Sequence, residues 1–356
     1  MTRYVLKKIG YSLLTLWGVV TVIFLLFTLL PGDPARMMLG QNETAEQIAM
    51  VKKKYGFDQP LSIQYIRYLN DLSPVSFHST QAEDYTYFGE KYSGVGLFTV
   101  GSTTVALKFP HLRESFQKNG KAVTQVIEET LPNTIILAVS AIVLAVFLGV
   151  FLGIIAALFK DQFIDKIIQF ISTLGMSLPS FFSAILFAWI FGFLLHEYTN
   201  LEMTGSLYEV DDFGTRKYIQ LKNLILPAVV LGIRPLAVVS QLMRNSLLEV
   251  LDQDYIRTAR AKGLSLNRII RKHALKNSLN PVVTAVSGWF ASMLAGAVFV
   301  EYIFGWNGLG KEIVDALNTL DLPVIMGAVL TIAAIFIAIN IIVDIIYGWL
   351  DPKIRV

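Results

Sequence analysis

Five stretches of this chain run for 22 to 30 residues without one charged side chain: 9–32, 130–159, 167–195, 277–300 and 322–343. About 20 helical residues cross a hydrocarbon core, so each stretch is long enough to span. A sixth stretch, 223–243, is interrupted by Arg234 and Pro235. It is kept as a span because without it a basic loop and an acidic loop would share one side of the membrane. Composition agrees: 54% of residues are apolar and 16% charged, against about 25% charged in soluble domains. The net charge of +3 is too small to suggest a nucleic-acid partner. The absence of cysteine removes disulfides, thiolate catalysis and Cys-ligated zinc. The expected fold is an all-α polytopic membrane protein with six transmembrane helices and a mixed extracytoplasmic domain after the first.

Charge placement sets an orientation. Arg3, Lys7 and Lys8 precede the first span. Loop 244–276 carries Arg244, Arg257, Arg260, Lys262, Arg268, Arg271, Lys272 and Lys276 against Glu249, Asp252 and Asp254. Loop 196–222 carries Glu197, Glu202, Glu209, Asp211 and Asp212 against Arg216, Lys217 and Lys222. By the positive-inside rule, six crossings place both termini, loop 160–166 and loop 244–276 in the cytoplasm. Segments 33–129 and 196–222 then face outward. The first run exceeds the roughly 7–15 residues of a signal-peptide core and no small-x-small site follows it, so an uncleaved span is expected.

Segment 33–129 divides further. Residues 44–55 and 61–72 have helical spacing, with Leu61, Tyr65, Tyr68 and Leu72 on one side. Residues 73–110 mix Gly, Thr, Val, Tyr and Phe with turn signals, which reads as a strand-rich insert. This cap either receives a ligand or partner or is simply a packed lid. Gly149 and Gly153, four apart in the second span, allow close helix approach within the chain or between chains.

The stretch 254–276 reads as a short helix, a glycine break at Gly263 and a second basic helix. Asp252 and Asp254 stand at the first helix's start, Lys262 at its end, and Ser265 at the cap of the second. Eight residues are marginal as an isolated helix, so this one needs a surface to pack on. Either it docks a soluble partner or its charges serve orientation and anionic lipid.

Residues 254–284, DYIRTARAKGLSLNRIIRKHALKNSLNPVVT, closely resemble the coupling-helix motif of ATP-binding cassette importer permeases. The narrower likeness is to the dipeptide/oligopeptide-type permeases. Where the general motif opens Glu-Ala-Ala this chain has Arg257, Thr258 and Ala259, with the motif glycine at Gly263. Further likenesses are Leu30 to Ala35, Tyr55 to Leu61, Ser177 to Phe182, Glu301 to Gly310 and the tail Asp351 to Arg355. Together they cover all but roughly 73–110, which looks like a lineage-specific insert. The resemblance implies a type I (MetI-like) permease of the bacterial inner membrane. Its domains would be 1–32, an extracytoplasmic domain 33–129, a permease core 130–350 and a tail 351–356. A second, homologous permease would complete the path, and two cytoplasmic ATPase subunits would each receive a coupling helix. A binding protein would deliver the solute, namely di- or oligopeptides, or alternatively nickel, sugars or glutathione. Coupling would fall to Arg257, Ala259, Arg260, Gly263 and Leu264. ATP and magnesium would sit in the ATPases, leaving no cofactor and no catalysis in this chain.

Several residues are weighed separately. Gly305 to Glu312 nearly spells G-x4-G-K-[ST], but Glu312 replaces the hydroxyl and no strand precedes it. Arg234 lies near mid-span, where an unpaired arginine costs about 2.5–3.5 kcal/mol on insertion scales. It either lines the path and attracts a carboxylate, or pairs with a neighbouring permease or with carbonyls freed by Pro235. Asp344 and Tyr347, near the inner face, read as an interfacial anchor rather than a proton relay. His78, His111, His196 and His273 show no metal spacing. The rival class, a stand-alone ion-coupled carrier or channel, calls for repeats, broken helices and several intramembrane acids. Only the break at Arg234-Pro235 fits it.

Overall fold

The computed structural model describes residues 2–28, 33–39, 44–89, 91–118, 120–211 and 213–350. In order, the elements are α1 (Thr2–Thr28), α2 (Pro34–Leu39), α3 (Ala45–Tyr55), α4 (Leu61–Leu72), β1 (Val75–Ser79), β2 (Gly94–Val100), β3 (Thr103–Lys108), α5 (Val123–Leu158), α6 (Phe163–Ser177) and α7 (Ser180–Phe187). Helix α7 continues as a π-helical stretch, Ala188–Leu194. Then follow α8 (His196–Thr199), β4 (Tyr208–Val210), β5 (Lys217–Ile219), α9 (Lys222–Leu251), α10 (Asp254–Ala261), α11 (Leu266–Ile269), a π turn Ile270–Ala274, α12 (Leu275–Ser278), α13 (Asn280–Phe304), α14 (Leu309–Thr319) and α15 (Leu322–Leu350). Among the described residues five helices are long and apolar enough to cross a membrane, and the pair α6–α7 makes a sixth crossing if it counts as one bent span. Segment 29–32, the tail 351–356 and the side chains of Asp344 and Tyr347 lie outside the described residues.

Two compact units form, one around residues 130–311 and one from 9–129 with 312–334. In the first, α9 is the central element. The stretch doubted at Arg234-Pro235 is a continuous 30-residue helix that carries Pro227 and Pro235 within it. It runs to Leu251, past the end expected at 243, so Arg244 belongs to a helix and not to a loop. Gly149 and Gly153 of α5 meet α9: a Cβ on Gly149 would stand 2.7 Å from Val239, and one on Gly153 2.6 Å from Met243. The pair therefore serves packing within the chain.

The run 167–195, expected as one span, is instead broken and bent by 111°. Pro179 is the cause. Proline lacks an N–H and pushes its predecessor out of the helical region, and Leu178 is extended at φ −76, ψ 133. Helix α6 is pinned to α9 by an ion pair. Arg244 donates from Nε to Asp165 Oδ1 at 2.7 Å and from the guanidinium tip to Oδ2 at 2.6 Å. Asp165 is buried and also accepts from Gln169 and from the Asp161 backbone.

In the second unit α3 begins with a reciprocal capping box between Thr44 and Gln47. Helix α4 follows, placing Tyr65 and Tyr68 against α1: Phe24 lies 5.2 Å and 5.7 Å from their ring centres. The strands expected within 73–110 form an antiparallel sheet in the order β1-β3-β2. Buried Asp71 organises what lies beneath it. Its carboxylate accepts from Tyr85, Tyr92 and Arg113, and its carbonyl from Lys108 and the His111 N–H. A second buried acid, Asp321, gathers Ser115 Oγ and the backbone N–H groups of Phe116 and Gln117.

Two predictions follow from these clusters. Asp165→Ala leaves the half-buried Arg244 uncompensated, a loss of roughly 3–5 kcal/mol for a broken buried pair. Its melting midpoint in detergent should fall well below the parent's, and the double variant with Arg244→Ala should lose less than the sum of the singles; an unchanged midpoint would contradict this. Burial holds the His111 imidazole down at about 4, and His78 is also lowered. Between the ordinary histidine value and that depressed one the unfolded state binds the extra proton. Stability is thus complete above about pH 6.5 and falls as acidity rises, at most about 1.4 kcal/mol per pH unit for one proton. After correction for the slower intrinsic exchange at low pH, protection factors over 71–111 should fall between pH 7 and 5, and His111→Gln should flatten that slope; protection that rises with acidity would have the wrong sign.

Candidate functional site

The elbow between α9 and α13 is built from helix-end chemistry. Asp254 opens α10 and pairs with Arg257 at 3.3 Å across one exposed turn. Lys262 occupies the C-cap, and Gly263 follows at φ +74, donating to the Arg260 carbonyl at 2.9 Å. A left-handed residue at that point is what turns the chain, and glycine adopts it without strain. Ser265 stands at the head of α11 in an extended conformation, yet its side chain makes no capping bond. The second helix contains a π turn, Ile270–Ala274, where an unbroken helix was expected.

Burial divides the elbow into two faces. Ile256, Ala259, Ile269 and Ala274 are buried with Met243 and Leu247 of α9, Ala157 of α5 and Val282 of α13, and Leu264 packs partly against them. Arg257, Arg260, Lys262, Gly263, Arg268, Arg271, Lys272 and Lys276 are exposed. Of the residues singled out for coupling, Arg257, Arg260 and Gly263 therefore stand on the open face. Ala259 and Leu264 fasten the elbow to the bundle. The result is a cationic knob on a buried apolar root.

Arg234 is exposed on α9, and among the described residues no carboxylate pairs with it. Its guanidinium reaches the Met176 carbonyl at 3.5 Å, a group near the Pro179 bend and not one freed by Pro235. The near P-loop is filled from within. Glu301, fully buried at the end of α13, accepts from the Gly310 N–H at 2.7 Å and the Lys311 N–H at 3.1 Å. Helix precedes the loop, and its amides are satisfied by the chain's own acid, so a phosphate has no place there. Trp306 and Leu309 tie the same loop to Asn133 and Thr134 of α5. Among the described residues no three His, Asp or Glu side chains converge as metal ligands.

The second unit holds two cavities, of ≈ 320 Å³ and ≈ 410 Å³, which share Phe57, Arg113 and Phe116 as a wall. Lys91 enters the smaller one, 3.5 Å from the Tyr85 ring centre, and burial lowers its ammonium to about 8. Asp71 and Asp165 were not singled out from sequence, and Glu301 entered only through the likeness Glu301 to Gly310. An acid near an apolar segment is marked as a buried structural carboxylate only once its partner is known.

Comparison with known proteins places this geometry. The model of the family "Binding-protein-dependent transport system inner membrane component" matches residues 149–356, and the model of the corresponding N-terminal component matches 1–138, running through the sheet. The chain is 32% identical to the dipeptide transport system permease protein DppB of Alkalihalophilus pseudofirmus, over all of both chains. It is 31% identical to the di/tripeptide transport system permease protein DppB of Pseudomonas aeruginosa, over all of this chain and 99% of that one. A putative peptide permease of Brucella ovis is 33% identical over both full lengths. Inward-facing MetNI, a methionine ABC transporter, aligns with 61% of this chain and 97% of its own at TM-score 0.42 and 16% identity. The chain belongs to the binding-protein-dependent transport system inner membrane component family: it is the multi-pass, non-catalytic permease subunit of an ABC importer of the inner membrane, whose ATP is bound by a separate ATPase.

Proposed function

We propose that this permease imports di- or oligopeptides and that the knob 254–276 is the point where ATPase motion enters it. The peptide assignment is supported by full-length relatives that carry peptide names. The coupling assignment is supported by one observation above the rest. The exposed cations Arg257 and Arg260 sit on a helix, closed by the turn at Gly263, whose other side, Ile256 and Ala259, is buried against α9. A push on the open face moves the central helix instead of bending a loop. The full assembly is two such permeases, two ATPases and a binding protein, with both termini and the knob cytoplasmic. Opening to alternate sides is then a population shift between two packings of the bundle, biased by nucleotide on one side and loaded binding protein on the other.

A second, narrower reading concerns Arg234. Its exposure and its weak carbonyl contact fit a group that faces the path and draws a peptide carboxylate.

Gly263→Pro forbids the left-handed turn and removes the N–H that closes α10. It should leave membrane insertion and ATPase binding intact while uptake falls by an order of magnitude relative to ATP hydrolysed. Arg257→Glu with Arg260→Glu should do the same without loss of thermal stability, since both side chains are solvated. Unchanged uptake per ATP in either would remove the coupling role. Arg234→Ala should raise the half-saturating peptide concentration with normal assembly; unaltered uptake kinetics would remove the path role.

A further inference from the structure

An antiparallel sheet with one wet face ordinarily turns its apolar side chains inward and its polar ones to water. The sheet β1-β3-β2 does the opposite. Its register sets Val75 opposite Leu107, Leu107 opposite Val95, Phe77 opposite Val105 and Val105 opposite Phe98, so these six share one face. That face carries no charge and is open: Val95 is 68% exposed, Phe77 60% and Phe98 58%. The other face presents Ser76, His78 and Lys108, all buried. Their polarity is fully answered there. His78 meets Ser76 Oγ at 2.8 Å and the Thr86 carbonyl at 2.9 Å, and Lys108 donates to the Asp71 carbonyl. A one-residue slip would exchange the faces and strand these bonded groups, so the orientation is fixed. Contiguous apolar patches of this extent are rare on surfaces that face water.

Where the sheet is fastened indicates what covers it. The Tyr65 hydroxyl of α4 lies 2.6 Å from Thr21 Oγ1 of α1. Thr21 precedes the last residue of α1 by seven positions, about 10 Å along the axis, so α4 touches a membrane helix within its span. Five residues beyond Tyr65, about 7.5 Å along α4, Asn70 grips β1. It donates to the Phe77 carbonyl at 2.9 Å and accepts the Phe77 N–H at 2.8 Å. The sheet is thereby held close to the bilayer boundary, beside a helix whose Trp17, Leu25 and Leu26 are themselves exposed.

We infer that the open face of the sheet rests on the lipid surface, in the interface of the leaflet at the C-terminal end of α1, as a monotopic foot of the extracytoplasmic domain. Uncharged aromatic and branched side chains suit that layer. The inference relies on α1 being a span, but not on the solute or on the coupling role of the knob.

The chain has no cysteine, so single cysteines can be spin-labelled directly. Val95→Cys and Phe77→Cys probe two strands of the face, and Gln81→Cys, exposed in the same domain, is the aqueous reference. With the assembled transporter in lipid nanodiscs, the face labels should show a several-fold higher ratio of oxygen to nickel-chelate accessibility than position 81. A ratio equal to that at 81 would place the face in water and overturn the inference. Labels shielded from both reagents would mean that a protein, such as the second permease or the binding protein, covers it, and would overturn it equally.

Discussion

Helix α9 depends on close contact, and the rest of its unit depends on α9. Glycines on α5 let the two backbones approach to where any side chain would collide with Val239 or Met243. Asp165 locks α6 onto the same helix through Arg244. The knob 254–276 buries its apolar root under Met243 and Leu247. A helix held on several sides is suited to move as a body under the coupling proposed for the cationic turn.

The second unit solves a different problem. Asp71 gathers two tyrosines and an arginine on its carboxylate and a lysine on its backbone carbonyl, so the interior of this unit is polar. A buried carboxylate is tolerated when its lone pairs are filled and a cation stands beside it, and Arg113 supplies that charge at 3.1 Å. The consequence is a sheet whose polar side is satisfied inward and whose apolar side is left for another phase. The same logic appears at Glu301, where a buried acid holds the amides that begin α14.

Legibility from sequence followed the range of the forces. The long apolar runs, helices α3 and α4, the strands near 75–108 and the Gly263 turn all follow from local patterns. Pro179 was visible, yet its bend was masked by the unbroken apolarity around it; composition reports solubility in lipid and not helix continuity. Charge counting assigned Arg244 to a loop because its partner, Asp165, is 79 residues away. Composition and turn signals marked strands in 73–110 but not which face of the sheet is buried, since that depends on Asp71 beneath. The coupling candidates Arg257, Ala259, Arg260, Gly263 and Leu264 follow from the resemblance, but their division into fastening and exposed members needed the packing of α9.

The central claim is that residues 254–276 form the seat of a nucleotide hydrolase. The most direct measurement is site-specific crosslinking from Arg260→Cys, carrying a photoactivatable label, in the assembled transporter. The account predicts an adduct with the ATPase subunit, formed from the cytoplasmic side and varying in yield with bound nucleotide. Labelling by a membrane-impermeant thiol reagent from the opposite side, or adducts to lipid alone with the ATPase present, would contradict it.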